Sequence, residues 1–270
     1  MSSRNILVTG CSSGIGLVTA TGLKARGYRV FATARKHEDL EMLGGHGLDA
    51  LPMDYSNSDS IQKCFAEVMS KSNGELYALF NNGAYGQPGA VEDLTRETLR
   101  KQFEANFLGW HELTRLAIPV MRARGEGRIV HNSSVLGFAA MPFRGAYNAS
   151  KFALEGLTDT LRLELRGSGI HVSLVEPGPI LSRFRANALR ALKENIDIEH
   201  SIYVENYRGA LARLQKDGPA APFTLPPEAV LSKVIHALES RHPRPRYYVT
   251  VPTYLFGILK RLLGTRQLDW

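Results

Sequence analysis

An apolar run at residues 4–9, RNILVT, leads directly into a turn that holds three glycines within seven residues, Gly10, Gly14 and Gly16, and then into an amphipathic stretch. A strand, a glycine-rich turn and a helix in that order leave few folds open. Glycine lets the backbone pass close to another group, and the helix that follows aims its first N–H groups at whatever sits over the turn. The spacing T-G-x-x-x-G-x-G departs from the G-x-G-x-x-G dinucleotide fingerprint, but the physical reading is the same: a cradle for a pyrophosphate. Gly10, Ser12, Ser13, Gly14, Ile15 and Gly16 are its candidate members.

Further runs rich in β-formers fall at 28–34, 48–53, 76–81, 127–133, 170–176 and 246–251, and several are almost wholly apolar, as in strands covered on both faces. Between the strand candidates lie helix candidates near 14–26, 57–72, 95–123, 147–167, 186–196 and 227–240. This alternation predicts an α/β fold: a doubly wound, Rossmann-type, mostly parallel seven-stranded sheet with helices on both faces, formed by 1–270 as one domain. Residues 182–226 break the rhythm and end in the breaker-rich DGPAAPFTLPP. A long irregular insertion in a compact domain is usually functional, so this one is expected to be a lid over the substrate.

Ligands of open parallel sheets bind outside the carboxyl ends of the strands. Arg35 follows the second strand candidate where an NAD-selective fold usually places an acid, and is positioned to meet a 2′-phosphate with Ser12 as helper. Asp54, after the third, is a candidate partner for an adenine amino group, and Asn81, Asn82, Gly83 and Ala84 end the fourth. Tyr147 and Lys151 are four apart and share one face of a helix. A free tyrosine titrates at about 10, and a neighbouring ammonium is expected to lower that value and make Tyr147 a usable acid and base. Ser134, at the end of the fifth strand candidate, is placed to hold a substrate oxygen; register alone does not exclude Ser133. Asn106 lies inside the long helix candidate 95–123, where an asparagine is ordinarily solvated.

Taken together, Thr9 to Gly16, Asp54, the Asn81-Asn82 pair, Asn106, Ser134, Tyr147, Lys151 and Glu176-Pro177-Gly178 resemble the short-chain dehydrogenase/reductase family over roughly residues 4–185. The turn and Arg35 resemble its 17β-hydroxysteroid dehydrogenase-like, NADP-preferring branch. The resemblance implies that Tyr147 exchanges the proton and Ser134 steadies the carbonyl oxygen. It implies that Lys151 holds the nicotinamide ribose and tunes Tyr147, and that Asn106 orders a water through a helix irregularity. Pro177, Gly178 and Ile180 would line the nicotinamide, with Ser182 where the family often has threonine; Asn82 and Gly83 complete the cofactor contacts. The family's N-N-A-G is altered here to Asn81-Asn82-Gly83-Ala84.

The implied activity is NADP(H)-dependent hydride transfer to or from a carbonyl or alcohol. Leu136, Phe138, Met141, Phe143, Phe184, Tyr203 and Tyr207 are candidate pocket residues and suit a hydrophobic aldehyde, ketone or steroid-like alcohol. An NAD-linked alcohol dehydrogenase, or a dinucleotide-sensing regulator without catalysis, are the other readings. The +7 net charge is scattered and accompanies no nucleic-acid-binding motif. Cys11 and Cys64 are the only cysteines and show no metal-ligand spacing; with no signal-peptide pattern, a cytoplasmic protein is expected. The apolar and basic C-terminal segment, 253–270, is expected to cap the pocket or pack on a partner subunit, with contact to a membrane surface as the less favoured reading. The family implies a homodimer or homotetramer paired through 95–123 and 147–167.

Overall fold

The computed structural model describes residues 4–215, 218 and 221–268; the parts of the sequence expectations that fall on 1–3, 216–217, 219–220 and 269–270 lie outside the described residues. In chain order the elements are β1 (Asn5–Val8), α1 (Gly14–Ala25), β2 (Arg29–Ala34), α2 (His37–Gly45), β3 (Asp49–Pro52), α3 (Ser58–Lys71) and β4 (Ala78–Asn81). Next come α4 (Arg96–Phe103), a π-helical segment (Glu104–Leu108), α5 (Gly109–Arg124), β5 (Gly127–Asn132), α6 (Gly145–Glu164) and β6 (Ile170–Glu176). The chain closes with α7 (Phe184–Asn195), α8 (Val204–Gln215), α9 (Glu228–Glu239), β7 (Arg246–Tyr248), α10 (Val251–Leu262) and α11 (Thr265–Leu268).

The strands form one seven-stranded sheet in the order β3-β2-β1-β4-β5-β6-β7, and every pair is parallel. Central strands read as unbroken apolar runs because both faces are covered. Ile6, Val8, Phe80 and Val130 pack with Leu23, Val234 and Leu238 on one side, while Leu7, Leu79 and Ile129 pack with Phe65, Val68, Trp110 and Leu154 on the other. Strand order reverses between β1 and β4, which opens a crevice at their carboxyl ends.

Three differences from the sequence expectation have physical causes. The expected strand 246–251 stops at Tyr248, because Val251-Pro252 opens α10 with proline in its first turn, where no N–H is needed. The expected helix 95–123 is interrupted by the π-helical segment around Asn106, at the irregularity that the family resemblance implied. Helix α2 was not expected; it is short, ends on Gly44-Gly45, and is supported by Glu38 and Asp39 in its first turn. The insertion 182–226 is chiefly the helix pair α7 and α8, whose Ala188, Leu192, Ile196, Tyr207 and Leu214 form a small core together with Ala90, Leu94 and Phe143 from outside it. Its two ends are clasped at the sheet edge, where Leu181 N–H donates to Leu225 O at 3.0 Å and Leu225 N–H to Pro179 O at 3.1 Å. No described helix is long and apolar enough to cross a membrane.

Helix α6 carries the Tyr147-Lys151 pair, and an ionic knot ties it to the sheet. Arg246 of β7 meets the carboxylates of Glu155 and Asp159 on α6 and of Glu176 at the end of β6, the last two at 2.6 Å. Glu176 is fully buried and Glu155 nearly so; burial and the facing Glu155 carboxylate push Glu176 upward, against the pull of Arg246. Removing one partner of a buried pair costs about 3–5 kcal/mol, because the other charge stays buried. With the Arg246 side chain 30% exposed, solvent screening lowers the expectation. Arg246→Met is expected to lose about 2–3 kcal/mol in urea unfolding at neutral pH. A change under about 0.5 kcal/mol would mean that the knot contributes little to docking α6.

Candidate active site

The crevice at the carboxyl ends of the strands is a cleft of about 1040 Å³. Of the sequence-derived cofactor candidates, Gly10, Ser12, Ser13, Ile15, Arg35, Asp54, Asn82, Gly83, Pro177, Gly178, Ile180 and Ser182 line it, together with Ser134, Tyr147 and Lys151. Gly14, Gly16 and Asn106 do not line it and support it from behind. Gly10 and Gly14 adopt positive φ, +67° and +54°. A Cβ on Gly16 would lie 2.2 Å from Gly10 O, so the helix can approach the turn this closely only without a side chain there. Helix α1, like α6, α7 and α10, has no acid in its first turn and no described side chain capping its N–H groups. Its amino end is thus left open to an anion.

Asn82 acts as a stitch. Its Nδ2 donates to Thr9 O at 2.9 Å and its Oδ1 accepts from Asn132 Nδ2 at 2.9 Å, fixing the turn to the ends of β4 and β5. Thr9 Oγ1 accepts from the N–H groups of Asn82 and Gly83 at 2.8 and 3.2 Å. Gly83 stands where the family pattern has alanine; a Cβ here would meet Gly10 Cα at 3.3 Å, a tight fit that glycine relieves. Asp54 Oδ1 accepts from Ser56 N–H and Oγ–H, which holds the loop after β3 at the cleft. Arg35 is exposed at the cleft wall and makes no ion pair with a described residue. Gly178 packs against β7's exit; a Cβ would sit 2.2 Å from Thr250 Oγ1.

The reactive end lies beyond the turn. Lys151 is wholly buried; its Nζ donates to Asn132 O at 2.8 Å, lies 4.2 Å from the centre of the Trp110 ring and 5.7 Å from that of Tyr147. Burial pushes Lys151 down to about 7, with Glu155 pulling the other way. Tyr147, 8% exposed, is pushed up to about 12 by burial, against the nearby Ser134 hydroxyl and the Arg144 charge, both of which favour the phenolate. Where the sequence leads one to expect an acidified phenol, burial here pushes Tyr147 the other way, and Ser134 and Arg144, rather than Lys151, are the groups that pull it down. Ser134 Oγ accepts from Leu136 N–H at 3.1 Å and faces Tyr147, whereas Ser133 Oγ packs toward Gly137 and is buried without a partner. Asn106 is buried rather than solvated, and both its side-chain groups hold the Tyr85 backbone, at 2.8 and 3.1 Å.

Of the pocket candidates, Leu136, Met141 and Phe184 line the cleft, and the Phe184 ring packs edge-on against Tyr147. Phe143, Tyr203 and Tyr207 do not; they pack on one another in the small core of the insertion, where Tyr207 is fixed by Asp93 and Ala90 N–H. Phe138 packs on Tyr248 instead. From the C-terminal segment Phe256 reaches the cleft, with Pro252 just before it, while Val251, Leu255, Ile258 and Leu262 stay exposed on α10. Sequence reasoning missed Asn132, Trp110 and Arg144. Trp110 follows Asn106 by four residues on the same helix face, a signal that was readable.

The depressed lysine has a measurable consequence. From about pH 7 to about 10.4, the unfolded chain holds a proton on Lys151 that the folded protein has released, so stability rises with pH across that window. Between pH 7 and 9, wild type is expected to gain up to about 2 kcal/mol relative to Lys151→Met, read from urea midpoints. Parallel pH profiles would contradict a neutral-leaning buried lysine.

A family model described as short chain dehydrogenase matches residues 4–193. The uncharacterised oxidoreductase YbbO of Escherichia coli K12 is 44% identical over 98% of this chain and 93% of its own. A variant of actinorhodin polyketide ketoreductase, crystallised with NADPH, superposes with a TM-score of 0.73 at 29% identity, covering 92% of this chain and 95% of its own. A Burkholderia phymatum short chain dehydrogenase/reductase in complex with NAD reaches a TM-score of 0.77 at 23% identity, over 95% and 92% of the two chains.

Proposed function

This chain belongs to the short chain dehydrogenase family, and from that premise we propose that it is an NADP(H)-dependent reductase of hydrophobic carbonyls. The observation that carries the reading is the meeting, in one cleft, of Ser134, Tyr147 and Lys151 with a glycine turn and an uncapped helix end. The cleft volume, the tight glycine approach and the acid-free α1 terminus all fit a dinucleotide. When bound, the cofactor supplies hydride.

The residues do the rest. Ser134 Oγ holds the substrate oxygen beside the Tyr147 hydroxyl. Tyr147 keeps its proton at neutral pH, because burial holds it up to about 12, and gives it to the oxygen as negative charge develops there. The reverse direction needs the phenolate and is favoured by alkali. Lys151, fixed by Asn132 and Trp110, orients the ribose hydroxyls and stays close to the phenol. Pro177, Gly178, Ile180 and Ser182 line the nicotinamide end. Asn106 contributes through the π-helical segment in which it sits, since its side chain is already engaged by Tyr85. Leu136, Met141, Phe184, Leu214 and Phe256 exclude water and favour an apolar substrate body.

NADP preference rests on Arg35, a cation at the cleft wall without an acidic partner among the described residues. We read the protein as a cytoplasmic homo-oligomer. The exposed Leu99, Leu108, Phe152 and Leu163 on the α4–α6 faces support the pairing, and the buried free thiols of Cys11 and Cys64 support a reducing compartment.

Tyr147→Phe is expected to lower kcat about a hundred- to ten-thousand-fold toward an aliphatic aldehyde panel while NADPH still binds by fluorescence titration. Unchanged turnover would remove Tyr147 from the chemistry, and binding without turnover by the wild type would favour a sensing role. Arg35→Asp is expected to shift the kcat/KM ratio of NADPH over NADH downward by about tenfold or more. An unchanged ratio would favour the NAD-linked reading.

A further inference from the structure

We propose that the substrate end of the cleft contains an anion site formed by Arg144 and Arg213, so that preferred substrates carry a carboxylate or phosphate a few atoms from the reacting carbonyl. This rests on the reading of Tyr147 as the proton donor and deepens the substrate class it serves.

Arg144 caps the amino end of α6, three residues before Tyr147, and lines the cleft. Its backbone is held by a bridge to Gly89, whose N–H donates to Phe143 O at 3.1 Å. The guanidinium is half-buried, and its one recorded hydrogen bond is a long one, 3.4 Å, to the carbonyl of its own neighbour Phe143. Arg213, an exposed side chain on α8 of the insertion, also lines the cleft, beside Leu214. Among the described residues neither arginine makes an ion pair. Elsewhere the protein pairs its arginines readily: Arg26 with Glu239, Arg29 with Asp49, Arg124 with Glu75 and Glu126, Arg246 with three carboxylates.

Two like charges thus face the same cleft unpaired, although Glu97, Glu104 and Glu194 also line it, and the Arg213 charge acts on Arg144. Burial and the Arg213 charge lower Arg144 to about 10, which still leaves it cationic near neutral pH. A half-buried cation such as Arg144 is costly without a partner, and a ligand anion between it and the exposed Arg213 would relieve the burial of the one and the repulsion between the two. A guanidinium offers planar donors matched to carboxylate and phosphate oxygens. The cofactor does not account for the pair. Its phosphates belong at the α1 terminus and at Arg35, whereas Arg144 opens α6 next to Tyr147, on which its charge acts. Leu136, Met141, Phe184 and Leu214 line the same space, so the complementary ligand is an amphiphile: an apolar body, a carbonyl and an acidic group.

The test compares para-formylbenzoate, para-formylphenyl phosphate and the neutral methyl ester of para-formylbenzoate as substrates with NADPH, in wild type, Arg213→Gln, Arg213→Lys and Arg144→Gln. Wild type is expected to favour at least one charged aldehyde over the ester by about tenfold or more in kcat/KM. That ratio is expected to fall by about tenfold in Arg213→Gln and to be largely kept in Arg213→Lys. The favoured arm tells carboxylate from phosphate. A second readout needs no turnover: calorimetric titration of NADPH-saturated protein with para-methylbenzoate, para-methylphenyl phosphate and para-methylbenzamide. A charged ligand should bind more tightly than the amide in wild type and lose that advantage in Arg213→Gln. Loss of all aldehyde reduction with this binding pattern intact would overturn the Tyr147 reading and leave the anion site standing. Equal treatment of charged and neutral ligands in wild type, or a preference that survives in both Arg213→Gln and Arg144→Gln, would overturn the anion site.

Discussion

Lys151 is a cation without exposed surface, and the layout of the reactive edge follows from what its burial demands. Its ammonium is met by a backbone carbonyl at Asn132 and by the face of Trp110. Trp110 is in turn fixed by its Nε1–H donating to Gly83 O at 2.8 Å, and its ring stacks on His131. His131 is held down to about 3 by burial and by the Lys151 charge, so it stays neutral and serves as packing. Gly83 touches Gly10, the first glycine of the cofactor turn. A continuous line of contacts therefore runs from the lysine through an indole and two glycines to the turn, and the two halves of the cleft are positioned by the same packing.

Burial moves the two members of the Tyr147-Lys151 pair in opposite directions, both toward neutrality. The cleft is therefore arranged to hold a proton on the phenol and to weaken one on the amine. Such a site suits a reaction in which negative charge appears only in the transition state and is met there by a preset donor. The ionic knot at Arg246 keeps this pair in register with β6 and β7, from which the Pro177-Gly178 loop departs. Val135 N–H donating to Pro177 O at 2.9 Å then joins that loop to the serine segment.

Much of this was readable from residues alone. Alternating apolar and amphipathic runs carried the sheet and most helices, because strands buried on both faces have a composition that loops lack. The turn at 10–16, Ser134, Tyr147 and Lys151 were readable because their spacing reports geometry within one turn or one helix. Other features were not readable from the residues themselves. The helix irregularity at Asn106 came only through the family resemblance, since the residues themselves read as one helix, and it is the Tyr85 backbone that engages Asn106. Phe143, Tyr203 and Tyr207 have the composition of a ligand pocket, yet fill the insertion's small core, and aromatic identity does not separate the two. The acidity of Tyr147 was misjudged in direction because spacing reveals a neighbouring charge but not the depth at which the pair lies. Arg144 left no trace, since one arginine at a helix start belongs to no period.

The clasp between Pro179–Leu181 and Leu225 carries an evolutionary meaning. It brings the two ends of the excursion to neighbouring points at the rim, and the excursion packs against the sheet domain through a small core shared with Ala90, Leu94 and Phe143. Such a piece can lengthen, shorten or change its chemistry while the nucleotide half keeps its register. Selectivity and reactivity are then inherited as separable parts, and a lineage can acquire a new appetite for substrates by rewriting one detachable cassette.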